Sequence, residues 1–199
     1  MDGVMVGMGA VGAAVLAGSV AGARLPEIHP VEQRVFRSVN GLPGWLYVPL
    51  WAPMQLGNLV VGTAAGLAVA WWFDDWRMAL AVVLAMVLKL GTERLLRKRM
   101  SDYLSVRQRP GTSQPVAVLR GRDVPASGPS FPSGHVILVA AVASVVATDL
   151  PVAWSWVPFL LAGLVMLGRV YVGAHNPLDV TAGLGTGLLV GALLDQLLV

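Results

Sequence analysis

Residues 168–179 read GRVYVGAHNPLD and join two apolar runs, so an Arg, a His and an Asp lie together at the boundary between them. Ionisable side chains at membrane depth are costly to dehydrate and are functional candidates. Asn176 followed by Pro177 is typical of a helix N-cap and first helical residue, which puts Asp179 in the first turn of a last helix. The alternative from this stretch alone is that Asp179 only complements the helix dipole and His175 is a satisfied loop residue.

The composition is typical of a membrane protein. The chain has 199 residues, of which 56% are hydrophobic and 13% charged, and its mean hydropathy is +0.70. These values exclude an ordinary soluble globular protein. The absence of cysteine excludes disulfides, thiolate metal sites and cysteine nucleophiles, and three histidines leave little for a histidine-based metal site.

Hydropathy divides the chain into six apolar segments. The first has no basic segment before it and is longer than a signal-peptide core, so we interpret it as a retained helix. Val31, Val35 and Val39 recur at helical spacing among charged residues, which predicts an interfacial amphipathic helix over residues 24–40. We therefore predict an all-α polytopic membrane protein, one domain over residues 1–199, with a bundle of six transmembrane helices at about 4–23, 56–73, 78–96, 131–148, 151–168 and 178–198.

Charged residues occur within and directly after the third span. Lys89 and Glu93 are four residues apart, so we expect them to face each other on one side of the helix, as a structural pair inside the bundle. Residues 97–130 form the one long loop of the predicted layout and are rich in arginine and proline. Loops of that size in a compact protein tend to be functional.

Within this loop, Arg107 and Arg109 are two residues apart and Pro110 follows them. Two arginines at that spacing, with a proline fixing the turn, could clamp a phosphate through bidentate guanidinium contacts. Taken alone, the stretch is also consistent with an ordinary basic loop.

The fourth span begins with FPSGH, residues 131–135. Backbone N–H groups at a helix start bind anions, and Ser133 and Gly134 are small enough to allow close approach. His135 could exchange a proton with the bound anion. Taken alone, this is a simple helix start with a chance histidine.

The predicted topology brings these groups together. In a six-span protein, the connections after the first, third and fifth spans lie on the same side of the membrane. Arg109 lies in the third connection, His135 at the start of the fourth span, and the 168–179 stretch in the fifth connection. We therefore expect one site at one face of the bundle.

Together these residues resemble the type 2 phosphatidic acid phosphatase (PAP2) family, membrane lipid phosphatases that share a site with vanadium haloperoxidases. The family signatures are Lys-x6-Arg-Pro, Pro-Ser-Gly-His and Ser-Arg-x5-His-x3-Asp. The second is complete at residues 132–135, and the third is present at residues 168–179 with Gly168 in place of Ser. The resemblance covers about residues 89–199 and the six-span layout.

The first signature matches only at Arg109-Pro110. Seven residues before Arg109 the chain has Asp102 where the family has Lys. The loop resembles one with a short insertion, which would leave Lys98, or Arg97 beside it, to supply the missing cation.

The resemblance implies a metal-independent lipid phosphatase that works through a phosphohistidine and has no cofactor. His175, oriented and made more basic by Asp179, would attack phosphorus. His135 would protonate the departing oxygen and then activate water. The phosphate-binding residues that the resemblance implies are Arg169, Arg109, Ser133, Gly134 and Lys98.

Two other classes of function remain open. A vanadate-dependent haloperoxidase would use the same pocket, but those enzymes resemble large soluble proteins. A non-catalytic transporter or scaffold would explain the helices but not the three motifs. Under the phosphatase interpretation, the expected partners are membrane lipids and a lipid phosphate substrate (a polyprenyl phosphate or diphosphate, phosphatidic acid or phosphatidylglycerophosphate), with no nucleic acid.

The orientation of the site is predicted differently by two criteria. Arg24, Arg34, Arg37 and most of the basic loop lie on the site-bearing side, against Arg77 alone on the other, so the positive-inside rule puts the site in the cytoplasm. Bacterial members of the family more often face outward, and phosphate binding explains several of these arginines. We expect a multi-pass protein of a bacterial inner membrane with an outward site and cytoplasmic termini.

Overall fold

The computed structural model describes residues 2–25, 27–99, 107–122 and 124–198, and these ranges are dominated by helices. An isolated antiparallel bridge between Gln108 and Pro129 is the one β pairing within them. Short 3₁₀ turns at Gly44–Leu46 and Gln55–Gly57 flank the third helix. The helices are α1 (Asp2–Ala23), α2 (Pro30–Asn40), α3 (Tyr47–Met54), α4 (Leu59–Trp72), α5 (Trp76–Arg99), α6 (Pro110–Ser113), α7 (Gly134–Ala147), α8 (Val157–Tyr171) and α9 (Pro177–Leu198).

The centre of the bundle is formed by α7 and α9. Both helices are apolar around most of their circumference, and a helix of that kind is stable where other apolar surface surrounds it. α9 packs against α1 and α7, while α7 also contacts α4, α5 and α8. Within α7, every residue is buried except His135 and Val142, which are half-buried.

The second and third sequence motifs lie at one end of the bundle. The first turns of α7 and α9 meet there, because the backbone N–H of Ser133 donates to the carbonyl oxygen of Asp179 at 2.9 Å. The last turn of α8 carries Arg169, and the interfacial helix α2 packs against α8 and α9. The fold therefore brings the second and third motifs together directly.

The predicted amphipathic helix forms over Pro30–Asn40, a shorter range than the predicted residues 24–40. Val31 and Val35 are exposed, whereas Glu32, Phe36 and Asn40, at intervals of four residues, are buried against the bundle. Val31 and Val35 therefore point away from the bundle, as the apolar face of an interfacial helix does. The charged Glu32 faces the bundle because it has a buried cationic partner there.

Two predicted boundaries also differ. α8 begins at Val157 rather than at residue 151, because residues 151–156 form a turn and Pro158 lies in the first turn of the helix, where proline is favoured. α8 then continues through Tyr171, so Arg169 lies in its last turn rather than in the connection that follows.

The number of membrane crossings stays a prediction. Among the described residues, Met5–Ala23 and Pro177–Leu198 are long and apolar enough to cross a membrane. The pair Gly44–Gly57 and Leu59–Trp72, bent by 74°, would make a third if it counts as one span. α7 and α8 are apolar but shorter, and α5 carries several charges in its second half.

Candidate active site

A polar cavity of about 230 Å³ lies where α5, α7, α8 and the α8–α9 connection meet. Four basic side chains, one carboxylate and two histidines line it. Within the described ranges, no three His, Cys, Asp or Glu side chains are grouped as metal ligands. The lining residues that matter for the chemistry are Lys89, Glu93, Arg97, Arg109, Gly134, His135, Arg169 and His175.

His175 lies between α8 and α9 and is buried. Its Nδ1 is 2.9 Å from the backbone carbonyl oxygen of Ser130. Because a carbonyl oxygen can only accept, Nδ1 carries the proton in this contact and Nε2 keeps its lone pair. Asp179 Oδ2 is 3.8 Å from Nδ1, too far for a hydrogen bond. The sequence predicts Asp179 as the group that orients this ring, whereas the ring donates its hydrogen bond to the backbone carbonyl of Ser130, a residue that no motif indicates.

Asp179 is fully buried in the first turn of α9, the predicted position. Its Oδ2 accepts the backbone N–H of Asn176 at 2.8 Å, which is one half of a capping box. The Asn176 side chain makes other contacts, including a 2.8 Å hydrogen bond that its Oδ1 accepts from Gln114. The helix start is therefore held by the Asp179 carboxylate.

The other oxygen of Asp179 binds Arg107, which the sequence suggests as a phosphate clamp. Arg107 Nη2 lies 2.9 Å from Asp179 Oδ1 and 2.6 Å from Glu32 Oε1. All three side chains are buried. Burial alone would lower the pKa of the Arg107 guanidinium, but the carboxylates of Asp179 and Glu32 outweigh it and raise the pKa. Arg107 is therefore committed to a buried ion triad and does not line the cavity.

The triad ties three segments of the chain together. Glu32 belongs to α2, and its Oε1 also accepts the backbone N–H of Leu178 in α9 at 3.0 Å. The backbone carbonyl of Arg107 accepts from both the N–H and the hydroxyl of Ser130, at 3.2 and 3.0 Å. Arg107 thus holds both neighbours of His175, Asp179 through its guanidinium and Ser130 through its backbone.

The start of α7 is built for close approach. A Cβ on Gly134 would meet the Glu93 carboxylate and the end of the Lys89 side chain, so glycine lets these two α5 side chains lie directly against the start of α7. The hydroxyl of Ser133 is buried and has no hydrogen-bond partner among the described residues. The first N–H groups of a helix and an uncommitted hydroxyl are groups that can donate hydrogen bonds to an anion, and His135 lies in the same turn.

Arg169 and Arg109 approach the cavity from two other directions. Arg169 projects from the last turn of α8 and is largely buried. Arg109 lies directly before α6, and its Nη1 donates to the carbonyl oxygen of Ala174 at 3.0 Å. That contact fixes one guanidinium next to the connection that carries His175.

The sequence predicts a phosphate-binding cation at the end of α5, at Lys98 or at Arg97 beside it. Lys98 is exposed and does not line the cavity, whereas Arg97 does and lies 2.7 Å from Glu93. Asp102, where the family has Lys, lies outside the described residues. Lys89 and Glu93 form the predicted pair, with 2.9 Å between Lys89 Nζ and Glu93 Oε2. The pair lines the cavity and is not packed in the interior of the bundle.

Burial and the positive charges around the cavity change the pKa values of His175 and Arg109. Burial lowers the pKa of the His175 imidazole, Arg169 and Arg109 add to the decrease, and Asp179 opposes it. Burial and the charge of Arg97 lower the pKa of Arg109, which stays protonated as arginines do. Burial and the neighbouring arginines therefore favour the neutral imidazole of His175.

Comparison with known proteins agrees with the motifs. The sequence profile of the PAP2 superfamily matches residues 76–198. The chain belongs to the PAP2 superfamily. Two solved structures share the fold: LpxE of Aquifex aeolicus, with a TM-score of 0.69 and 23% identity over 86% of this chain and 99% of that one, and the transmembrane PAP2 type phosphatidylglycerolphosphate phosphatase of Bacillus subtilis, with a TM-score of 0.66 and 24% identity over 97% and 94%.

Three curated relatives match parts of the chain. An undecaprenyl-diphosphatase of Sulfolobus acidocaldarius is 41% identical over 69 residues, 34% of this chain and 33% of the relative. The decaprenylphosphoryl-5-phosphoribose phosphatase of Mycobacterium tuberculosis is 28% identical over 144 residues, 71% of both chains. Phosphatidylglycerophosphatase B of Bacillus subtilis is 36% identical over 120 residues, 54% of this chain and 53% of the relative. The chain thus spans a third of the first relative's length and about half of the last.

The proton on His175 can be observed directly. We expect ¹⁵N-histidine NMR of the detergent-solubilised protein to show His175 as the Nδ1–H tautomer, because Ser130 offers only an acceptor. Its imidazole should stay neutral below the ordinary histidine pKa of about 6.5. The variants His29→Gln and His135→Gln assign the signals. An Nε2–H tautomer, or an imidazolium at pH 7, would contradict this geometry.

The Arg107 triad sets a second expectation. Arg107→Gln leaves two buried carboxylates without their cation, so the free energy of unfolding should fall by about 3–5 kcal/mol. Arg37→Gln, an exposed arginine on α2, is the matched control and should change it by less than about 0.5 kcal/mol. Both are measured by denaturant unfolding in detergent. Equal effects of the two substitutions would show that the triad contributes nothing.

Proposed function

We propose that this protein is an integral membrane phosphatase that hydrolyses the phosphate monoester or diphosphate of a lipid through a covalent phosphohistidine. The observation that carries the proposal is the cavity, in which Lys89, Arg97, Arg109 and Arg169 surround two histidines. Cations at that density bind a phosphate group and stabilise the charge of its transition state. Membership of the PAP2 superfamily supports the reaction class, and the curated relatives carry phosphatase names.

In the first step, His175 is the nucleophile. Its Nδ1–H is committed to the Ser130 carbonyl, which leaves the Nε2 lone pair to attack phosphorus. The bond from phosphorus to the leaving oxygen breaks as the N–P bond forms, and His135 gives that oxygen a proton. An anion bound beside His135 favours its protonated form. The leaving group departs as a lipid alcohol, or as a lipid phosphate when the substrate is a diphosphate.

In the second step, water releases the phosphate. His135, now neutral, accepts a proton from a water molecule while the oxygen of that water attacks phosphorus. The N–P bond to His175 breaks, and inorganic phosphate is released. Asp179 stabilises the positive charge that the ring of His175 carries during attack. Its charge acts across 3.8 Å, while Ser130 keeps the ring in place.

Four groups are proposed to bind the oxygens of the phosphate. Arg109 and Arg169 supply guanidinium donors from two sides of the cavity. The unpartnered hydroxyl of Ser133 and the backbone N–H of Gly134 supply the third side, at the start of α7.

The substrate belongs to one of three classes: polyprenyl phosphates or diphosphates, phosphatidic acid, and phosphatidylglycerophosphate. Each carries its phosphate where a membrane meets water. We place the protein in a bacterial inner membrane with the site outward, so that a lipid of the outer leaflet reaches the cavity.

Released phosphate from those lipids, presented in detergent to the purified protein, tests the function. His175→Ala should abolish turnover, and Asp179→Asn should lower kcat by about 10³–10⁴ with little change in KM. An activated aryl phosphate should partly rescue His135→Ala, because its leaving group needs no acid. His29→Ala, an exposed histidine, is the matched control. Full activity of His175→Ala, or a complete loss in EDTA that Mg²⁺ restores, would rule out the phosphohistidine.

Two substitutions can assign the phosphate-binding cation at the end of α5 to Arg97 or to Lys98. The sequence predicts Lys98, with Arg97 beside it as the alternative, and the position of Arg97 in the cavity lining supports the alternative. We expect Arg97→Ala to lower kcat/KM by about 10-fold to 1000-fold, as for loss of a charged transition-state donor. Lys98→Ala should have little effect. The reverse order would restore Lys98 as the phosphate ligand, and equal rates for both variants and wild type would leave that role to the other cations.

A further inference from the structure

A second cavity, of about 370 Å³, lies between α4, α7 and α8. We call it the α4–α7–α8 groove. Its lining carries no ionisable side chain, and two of its lining residues, Ala65 and Ala143, have only a methyl side chain. The residues that shape it are Gly62, Ala65 and Gly66 of α4 and Val139, Ala143 and Val146 of α7.

The groove begins next to His135. Val139, Ala143 and Val146 follow His135 by 4, 8 and 11 residues, so all four lie on one face of α7. Val142, on the same side, is the other residue of α7 that is not fully buried. From Val139 to Val146 the groove runs roughly 10 Å along the helix, at about 1.5 Å per residue.

The segment directly before α4 lies between the groove and the active site. Gly57 packs against His135, since a Cβ on Gly57 would lie 2.8 Å from the Cβ of His135. Its neighbour Leu56 lines the groove. The far end reaches Leu150 and Trp154, between α7 and α8 at the end of the bundle opposite the site.

The position of the proton donor His135 indicates which part of the substrate lies next to the groove. His135 protonates the leaving oxygen, so the lipid part of the substrate lies on the His135 side of the phosphate. The groove continues from that side along the same helix face. Pockets of this size between helices, lined by apolar side chains, are typical ligand sites.

We propose that the α4–α7–α8 groove binds the hydrocarbon chain of the lipid substrate, the chain attached to the leaving oxygen. This inference rests on the proposed function and adds the site that distinguishes a long-chain lipid phosphate from a short one. The phosphate end is recognised by charge, and the chain is recognised by apolar contact along α7.

Filling the groove from α4 tests the proposal. Ala65→Phe puts an aromatic ring in the groove, whereas Ala64→Phe puts the same ring on the exposed neighbouring face and is the matched control. The substrates are a long-chain polyprenyl phosphate in detergent and para-nitrophenyl phosphate, which has no chain. Ala65→Val is a milder filling that decides the question if Ala65→Phe does not fold.

We expect Ala65→Phe to raise KM for the long-chain substrate by about 10-fold to 200-fold, as for displacing two to four methylene groups from an apolar site. Its kcat/KM for para-nitrophenyl phosphate should equal that of the wild type, and Ala64→Phe should change neither. An unchanged KM for the long-chain substrate in folded Ala65→Phe or Ala65→Val overturns the groove proposal alone. If the wild type hydrolyses neither substrate, the proposed function itself fails and the groove proposal fails with it.

Discussion

The guanidinium of Arg107, held between Asp179 and Glu32, is the contact on which the rest of the site depends. Two buried carboxylates so close together are unfavourable unless a cation compensates them, and Arg107 lies within 3 Å of both. Through this triad α2, the 107–113 segment and the first turn of α9 are joined. The position of His175, two residues before the start of α9, follows from that junction and from the carbonyl of Ser130, a residue that the Arg107 backbone holds.

Much of the architecture could be predicted from the sequence because it depends on local patterns. The apolar runs correspond to α1, α4, α5, α7, α8 and α9, and the three motifs meet at one end of the bundle. The buried triad could not be predicted, since it pairs residues 72 and 75 positions apart and no spacing rule connects them. For the same reason the inward position of Glu32 on α2 could not be predicted, since a carboxylate is rarely buried unless it is paired.

The position of Arg97 in the cavity lining could have been predicted from the residue spacing along α5. Lys89, Glu93 and Arg97 are spaced by four residues and therefore form one stripe, which faces the cavity. Lys98 follows Arg97 by one residue, roughly 100° around the helix, and is exposed.

The glycine that replaces the family serine also has a local cause, because a Cβ on Gly168 would lie 2.6 Å from the sulfur of Met54.

The central claim is that His175 carries the phosphoryl group between the two steps. Its most direct test is rapid-quench trapping with a ³²P-labelled substrate, followed by mass spectrometry of the digested protein under alkaline conditions. We expect an acid-labile, base-stable phosphoryl group on His175 that rises and decays at rates that account for turnover, and none in His175→Ala. Single-turnover release of phosphate with no phosphoprotein at any time, or with the label on another residue, would contradict the proposed mechanism.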